Sequence, residues 1–237
     1  MKWIYFIPIA TFLLSMAFSF ILFKHYQRKK EATYILWWLI GVLTYGAGTF
    51  TESFNTLFGW TEANFRWWYI TGALLGGAPL AQGSVYLLLE KKVAHILSAV
   101  LVLTVVIASI FVLMSPIDYA AVEPQRMSGK VFAWQWVRYF SPFINLYAVV
   151  FLVGGAIISA IKYFRKTGTG VRFWGNVLIA IGAILPGIGG SFTRLGYVEV
   201  LYVTEFLGLL MIMIAYHIMK KEKAVSVHVN QYLVDAS

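Results

Sequence analysis

The stretch VAHILSAVLVLTVVIASIFVLM, from Val93 to Met114, runs for twenty-two residues without an Asp, Glu, Lys or Arg. As a helix rising about 1.5 Å per residue it is roughly 33 Å long, enough to cross about 30 Å of hydrocarbon. Apolar segments of comparable length recur at 4–23, 33–51, 67–89, 139–161, 173–191 and 199–219. With 93–114 they predict an all-α, polytopic protein of seven transmembrane helices.

The composition agrees. Of 237 residues 60% are apolar and 12% charged, and the mean hydropathy is +0.75, values that describe no soluble surface. The largest piece outside the spans runs from Ser115 to Arg138, so residues 1–237 read as one membrane domain ending in a short tail over 220–237. No soluble catalytic or DNA-binding domain fits between the spans. The first span reads as retained, because Lys24 and Arg28-Lys29-Lys30 close it without a small-residue cleavage pattern. The chain has no cysteine, which removes disulfides, thiolate metal sites and cysteine nucleophiles together.

The net charge of +9 is spread in short clusters between apolar spans, as orientation signals are, and does not indicate nucleic-acid binding. Alternate loops hold Lys24, Arg28, Lys29 and Lys30; Lys91 and Lys92; Lys162, Arg165, Lys166 and Arg172; and Lys220, Lys221 and Lys223. The opposite set holds Lys2, Arg66, Arg126, Lys130, Arg138 and Arg194. Thirteen cations against six place the first set in the cytoplasm. That orientation leaves the N-terminus outside and the C-terminus inside a multi-pass protein of the cell membrane. All nine tryptophans fall near span ends, where indoles form interfacial belts; Trp67, Trp68, Trp134 and Trp136 together are the alternative, an aromatic cage on the outer side.

Spans one to three resemble spans five to seven. Phe6-Ile7-Pro8 corresponds to Phe140-Ser141-Pro142, Tyr69-Ile70-Thr71 to Tyr202-Val203-Thr204, and the seven-residue spacing of Gly41 and Gly48 recurs in Gly182 and Gly189. Two three-helix units separated by a fourth span have the same orientation, a 3+1+3 parallel pseudo-repeat, with span four a linker facing lipid. Helices in lipid approach one another through small residues. The expected packing faces are Gly41, Thr44, Gly48 and Thr51 on span two; Gly72, Gly76, Pro79, Gly83 and Tyr86 on span three; Asn176, Ala180, Ala183, Gly187, Gly190 and Arg194 on span six; and Tyr202, Glu205, Gly208, Ile212 and Tyr216 on span seven. These four faces are expected to meet in the bundle centre.

Ionisable groups at membrane depth are costly unless paired or hydrated, and they mark function. Glu205 lies about seven residues, hence on the order of 10 Å, inside the outer end of its span. Glu52 and Arg194 end spans two and six at the same outer level and are expected to pair across a shallow cavity. With Gln82, Thr71, Asn145, Tyr69 and Tyr202 they define a candidate polar ligand pocket in the outer half of the bundle, centred on Glu205.

His25, His95 and His217 fall at cytoplasmic span ends with no metal-site spacing, and neither a metal nor a cofactor is expected. The last span has no lysine from Glu199 to Met219 for a retinal Schiff base, which excludes a conventional retinal protein. No P-loop, Gly-x-Ser-x-Gly elbow or His-Glu-x-x-His pattern is present, so the chain does not read as an enzyme.

Trp38, Gly41 and Glu52, followed by Trp67, Trp68, Gly72, Pro79 and Tyr86, resemble the N-terminal seven-helix sensor regions of bacterial histidine kinases over Trp37 to Leu89, about a quarter of the chain. The resemblance implies a bacterial, receptor-like membrane protein that binds a small molecule or ion. No kinase domain follows span seven, so such a sensor signals through a separate cytoplasmic or membrane partner. Two other classes share the architecture. One is a small secondary transporter, since the 3+1+3 plan is that of SWEET-type carriers, although span two lacks their proline. The other is a non-catalytic subunit of a membrane complex.

Overall fold

The computed structural model describes residues 3–124 and 126–235, with side chains placed as far as Glu222. Among these the chain is all-helical, its only extended pairings being two isolated bridges, Ile117 with Phe132 and Glu123 with Arg126. A 3-10 turn at Trp3–Phe6 leads into α1 (Ile7–Arg28), followed by α2 (Thr33–Phe58), α3 (Glu62–Trp68), a π-helical segment (Tyr69–Leu75), α4 (Ala78–Leu88) and α5 (Lys91–Met114). After the segment of residues 115–139 come α6 (Phe140–Ala148), a second π segment (Val149–Gly154), α7 (Gly155–Thr167), α8 (Val171–Arg194) and α9 (Val198–Asp235).

Five helical stretches are long and apolar enough to cross a membrane: Trp3–Arg28, Lys91–Met114, Gln135–Thr167, Val171–Arg194 and Val198–Glu222. Their outward faces are apolar. On α5, Ile96, Val100, Leu103, Ile107 and Ile110 are exposed at helical spacing, while Ala94, Leu101, Ala108 and Val112 face inward. A row of bare aliphatic side chains on a full-length helix fits lipid and not water, and the chain is a membrane-embedded helical protein.

Three boundaries differ from expectation. The stretch expected as one helix over 67–89 is broken: the π segment ends at Gly76, whose φ of +43° a side chain would resist, and Pro79 sits in the first turn of α4, where its missing N–H costs nothing. A π turn leaves backbone groups without their α-helical partners, and the carbonyl of Ala73 is taken up by the neighbouring helix, accepting from Ser141 Oγ at 2.5 Å and Asn145 Nδ2 at 3.1 Å. Next, α2 continues past residue 51 to Phe58, so Glu52 lies inside a helix and not at its end. Finally, α9 runs on to Asp235 where a tail was expected from residue 220, since no Gly or Pro follows Gly208 to stop it.

Most of the close helix contacts are built on glycine. A Cβ on Gly41 would lie 2.8 Å from Leu80 N, and one on Gly48 3.3 Å from Gly72 Cα; on α8, Gly182 meets the carbonyl of Gly208 and Gly189 meets Leu201. The stripe expected on α8 is therefore rotated. Gly175, Gly182 and Gly189 are its buried glycines, whereas Gly187 and Gly190 have open space where a side chain would go and Arg194 is exposed. The four helices still meet in one apolar cluster, Leu39 and Val42 of α2 with Leu80 and Ala81 of α4 and Leu209 and Tyr216 of α9, against which Ile179 and Ala183 of α8 pack.

The segment between α5 and α6 is folded into a cap. Met127, Val131, Phe132 and Val137 are buried against Phe65, Tyr69 and Val112. Arg66 donates to the carbonyls of Val112 and Ser115 and to Glu62 Oε1 at 2.7 Å, and the Tyr119 hydroxyl donates to Glu62 Oε2 at 2.6 Å. The Tyr119 hydrogen bond, then those from Arg66, hold the Glu62 carboxyl below its usual range. Folding thus favours the ionised form, whose contribution is complete above the ordinary glutamate value of about 4.3 and is lost as pH falls through the lower folded value. Proteolysis at the cap is expected to accelerate modestly below about pH 4, and Glu62→Gln is expected to remove that acid dependence.

Candidate functional site

The ladder between α2 and the third segment carries its own register. Gly41 meets Leu80 and Gly48 meets Gly72. One turn further along, toward the C-terminal end of α2 and back toward α3, stand Glu52 and Trp68, and the Trp68 indole N–H donates to Glu52 Oε1 at 3.1 Å. The other polar residues around this turn of α2 are satisfied by their own helix: Thr49 Oγ1 donates to Gly46 O, Thr51 Oγ1 to Gly48 O and Ser53 Oγ to Thr49 O. Glu52, only 4% exposed, is left to find partners elsewhere.

What it faces is Glu205 of α9, whose carboxyl lies close enough to that of Glu52 for the two charges to act on each other. The Tyr45 hydroxyl holds α9 at this point by donating to the backbone oxygen of Glu205 at 2.9 Å. Tyr202, one turn before, is buried, lies within electrostatic range of both carboxyls and packs edge-on against Tyr5. Oε2 of Glu52 and Oε2 of Glu205 are each buried without a hydrogen-bond donor. Two adjacent acids short of donors repel each other unless a proton or a cation lies between them. The arrangement suits binding of a small positive charge, with Trp68, Tyr45 and Tyr202 as aromatic and hydrogen-bonding walls.

Further along α9, Leu209 joins Leu39, Val42, Leu80 and Ala81 in a buried apolar cluster. The carboxyl pair thus has an apolar cluster one turn further along α9.

The remaining expected site residues are distributed elsewhere. Arg194, exposed at the end of α8, makes no ion pair with Glu52 among the described residues; the expected pairing fails because α2 continues beyond Glu52 and turns that carboxyl inward, to Trp68 and Glu205. Gln82 is fully buried between α4 and α5, donating to Ala94 O and Ser98 Oγ and accepting from Tyr147. Asn145 serves the π segment. Thr71 bonds back to Trp67 O at 2.7 Å, and Tyr69 packs edge-on against Phe132 under the cap. Only Glu205, Glu52 and Tyr202 of the eight come together. Trp67 is exposed while Trp134 and Trp136 stack on one another, so no four-tryptophan cage forms. His25 meets Tyr216, His95 meets Tyr86, and His217 meets the carbonyl of Met213.

Trp68 and Tyr45 were not among the expected site residues. The signal for Trp68 was present in the glycine register, since Gly48 against Gly72 dictates Glu52 against Trp68. Tyr45 acts through a backbone carbonyl, for which a sequence carries no mark.

The protein is thus a membrane-embedded helical bundle with a buried carboxyl pair. No protein family matches the chain, nor does any curated protein or solved structure.

Proposed function

We propose that this chain crosses the bilayer seven times, N-terminus outside, and is a receptor-like protein that binds a small cation between Glu52 and Glu205 in the outer half of the bundle and signals through a separate partner. The observation that carries the reading is the pair of neighbouring carboxyl groups, each with a buried oxygen lacking a donor. The seven-span count rests on α2 and the broken third segment, two helical stretches that complete an antiparallel bundle with the five long apolar ones. The parallel repeat is supported by equivalent contacts: Gly48 lies beside Thr71 and Gly189 beside Thr204, residues paired by the two sequence units.

The reading as a receptor and not a transporter is supported by the apolar cluster of Leu39, Val42, Leu80 and Leu209, which lies beyond the carboxyls in the direction of the other ends of α2 and α9. Discontinuous helices line substrate paths in transporters, and the third segment is discontinuous. Its freed carbonyl at Ala73, however, is already occupied by Ser141 and Asn145.

Sodium, calcium and guanidinium ions serve as probes. A cation that occupies the pair is expected to raise the melting temperature of the protein in nanodiscs as its concentration passes the dissociation constant. No rise with any of the three would count against cation binding, and their accumulation inside proteoliposomes would favour the transporter. Orientation is tested separately. Because native thiols are absent, single cysteines at Ser128 and Thr167 can be probed on intact cells with an impermeant thiol reagent. Labelling is expected at 128 alone, and the opposite pattern would invert the topology.

A further inference from the structure

Five side chains on α4, α5 and α6 form an unbroken run of hydrogen bonds that is independent of the carboxyl pair. Tyr147 donates its hydroxyl to Gln82 Oε1. Gln82 Nε2 donates to Ser98 Oγ at 2.7 Å, Ser98 Oγ donates to the Tyr86 hydroxyl oxygen at 3.1 Å, and that hydroxyl lies 2.8 Å from His95 Nδ1. Because the phenol oxygen of Tyr86 accepts from Ser98, its own proton is available for Nδ1. Every donor then points the same way, from Tyr147 within the bundle to the imidazole. The chain joins a fully buried amide, Gln82, to an exposed ring, His95.

This direction holds for one form of the imidazole, neutral with its proton on Nε2, so that Nδ1 offers a lone pair. A protonated ring donates from both nitrogens. Nδ1–H must then give its hydrogen to Tyr86, and the Tyr86 proton must turn to another acceptor. Ser98 Oγ is within reach, and accepting there obliges Ser98 to release its own hydrogen bond to Tyr86; with Gln82 Nε2 also donating to that oxygen, both its lone pairs are taken and its proton loses its partner.

We propose that His95 is a proton-binding site whose charge state is passed through Tyr86 and Ser98 to Gln82, and so sets how firmly α4 is held to α5 and α6. The groups around the ring are few. Tyr86 faces it edge-on from α4 with centroids 5.4 Å apart, Lys91 and Lys92 precede it by one turn on α5, and Glu90 stands at that helix's start. The other elements against α5 meet it further along, the first π segment through Leu74 in one cluster with Leu101 and Ala108, the Gln135–Tyr139 turn through Trp136 on Phe111, and α6 through Phe140 stacked on Phe111.

The test uses the full-length protein in nanodiscs of zwitterionic lipid, with nitrogen-15 histidine for NMR and hydrogen exchange read by mass spectrometry; His95→Gln identifies the His95 signals. At pH 8 the ring is expected in the Nε2–H form with Nδ1 bare. As the pH is lowered from about 8 to about 5, exchange across residues 78–98, corrected for its intrinsic pH dependence, is expected to rise about fivefold, the effect of leaving the Ser98 proton without its bond. The rise is expected to follow the His95 titration. Tyr86→Phe leaves the histidine titrating but cuts the chain, and His95→Gln removes the charge, so each is expected to abolish the response. If Tyr86→Phe does not fold, Ser98→Ala cuts the same chain one link further in. An Nδ1–H ring at pH 8, no response in the native protein, or a response that survives these variants would each overturn the proposal.

Discussion

Glu205→Gln is expected to abolish cation binding while leaving the fold as stable as before, or more so. The amide is close to the carboxyl in shape, and its N–H₂ places a donor where both Glu52 Oε2 and Glu205 Oε2 lack one. A buried hydrogen bond to a charged group contributes roughly 1.5–3 kcal/mol, so the melting temperature should hold or rise. The ligand loses one of its two anionic partners, and any rise in melting temperature with sodium, calcium or guanidinium should vanish. Glu52→Leu is the contrasting variant. It strands the Trp68 indole N–H and the Glu205 carboxyl together, and a buried orphan of this kind costs about 1–3 kcal/mol. If Glu205→Gln loses much stability and keeps its cation response, Glu205 belongs to packing and the binding site lies elsewhere.

The second large effect concerns α8 and α9. A Cβ on Gly208 would stand 2.5 Å from the carbonyl oxygen of Gly182, and one on Gly182 2.7 Å from that of Gly208. Both obstacles are backbone and cannot rotate away. Gly208→Ala and Gly182→Ala should each destabilise by about 3 kcal/mol, the upper part of the range for overpacking. Gly187→Ala and Gly190→Ala, on the open side of the same helix, should be neutral or raise stability by less than about 1 kcal/mol. Thermal unfolding of the four variants in one lipid composition checks the contrast. Equal losses at all four positions would mean that α8 buries a different face.

These glycines also explain how far the sequence could be read. Five membrane-length apolar helices were legible because hydrocarbon thickness imposes a length. One packing face of α2 was legible too, since Gly41 and Gly48 fall on one side; the face toward α1, where Gly46 meets Ser15, was not. On α8 small residues occupy several sides, with Gly182, Gly187, Gly189 and Gly190 in nine positions, and periodicity alone selected the wrong row. The break at Gly76 was hidden for a related reason: each π turn shifts the register of the helix beyond it, so Gly72 and Gly83 share a stripe on paper while lying on opposite sides of a discontinuity. Of the candidate site, Glu205, Glu52 and Tyr202 were recoverable because charge and burial conflict there. Gln82 and Asn145 showed the same polarity in the same kind of surroundings, but their partners are a serine hydroxyl, a tyrosine and main-chain carbonyls.

That choice of partner has a bearing on how the chain tolerates change. Ser141 and Asn145 reach the carbonyl of residue 73, Arg66 those of 112 and 115, Arg126 that of 193, Asn64 that of 51, Asn55 that of 124 and Tyr45 that of 205. Every amino acid supplies a carbonyl. Half of each tie is therefore indifferent to mutation, and drift at the accepting positions leaves the bond in place so long as the helix keeps its path. The donors have no such freedom, and selection for the assembled bundle falls on Tyr45, Asn55, Asn64, Arg66, Arg126, Ser141 and Asn145 while their partners are left to vary.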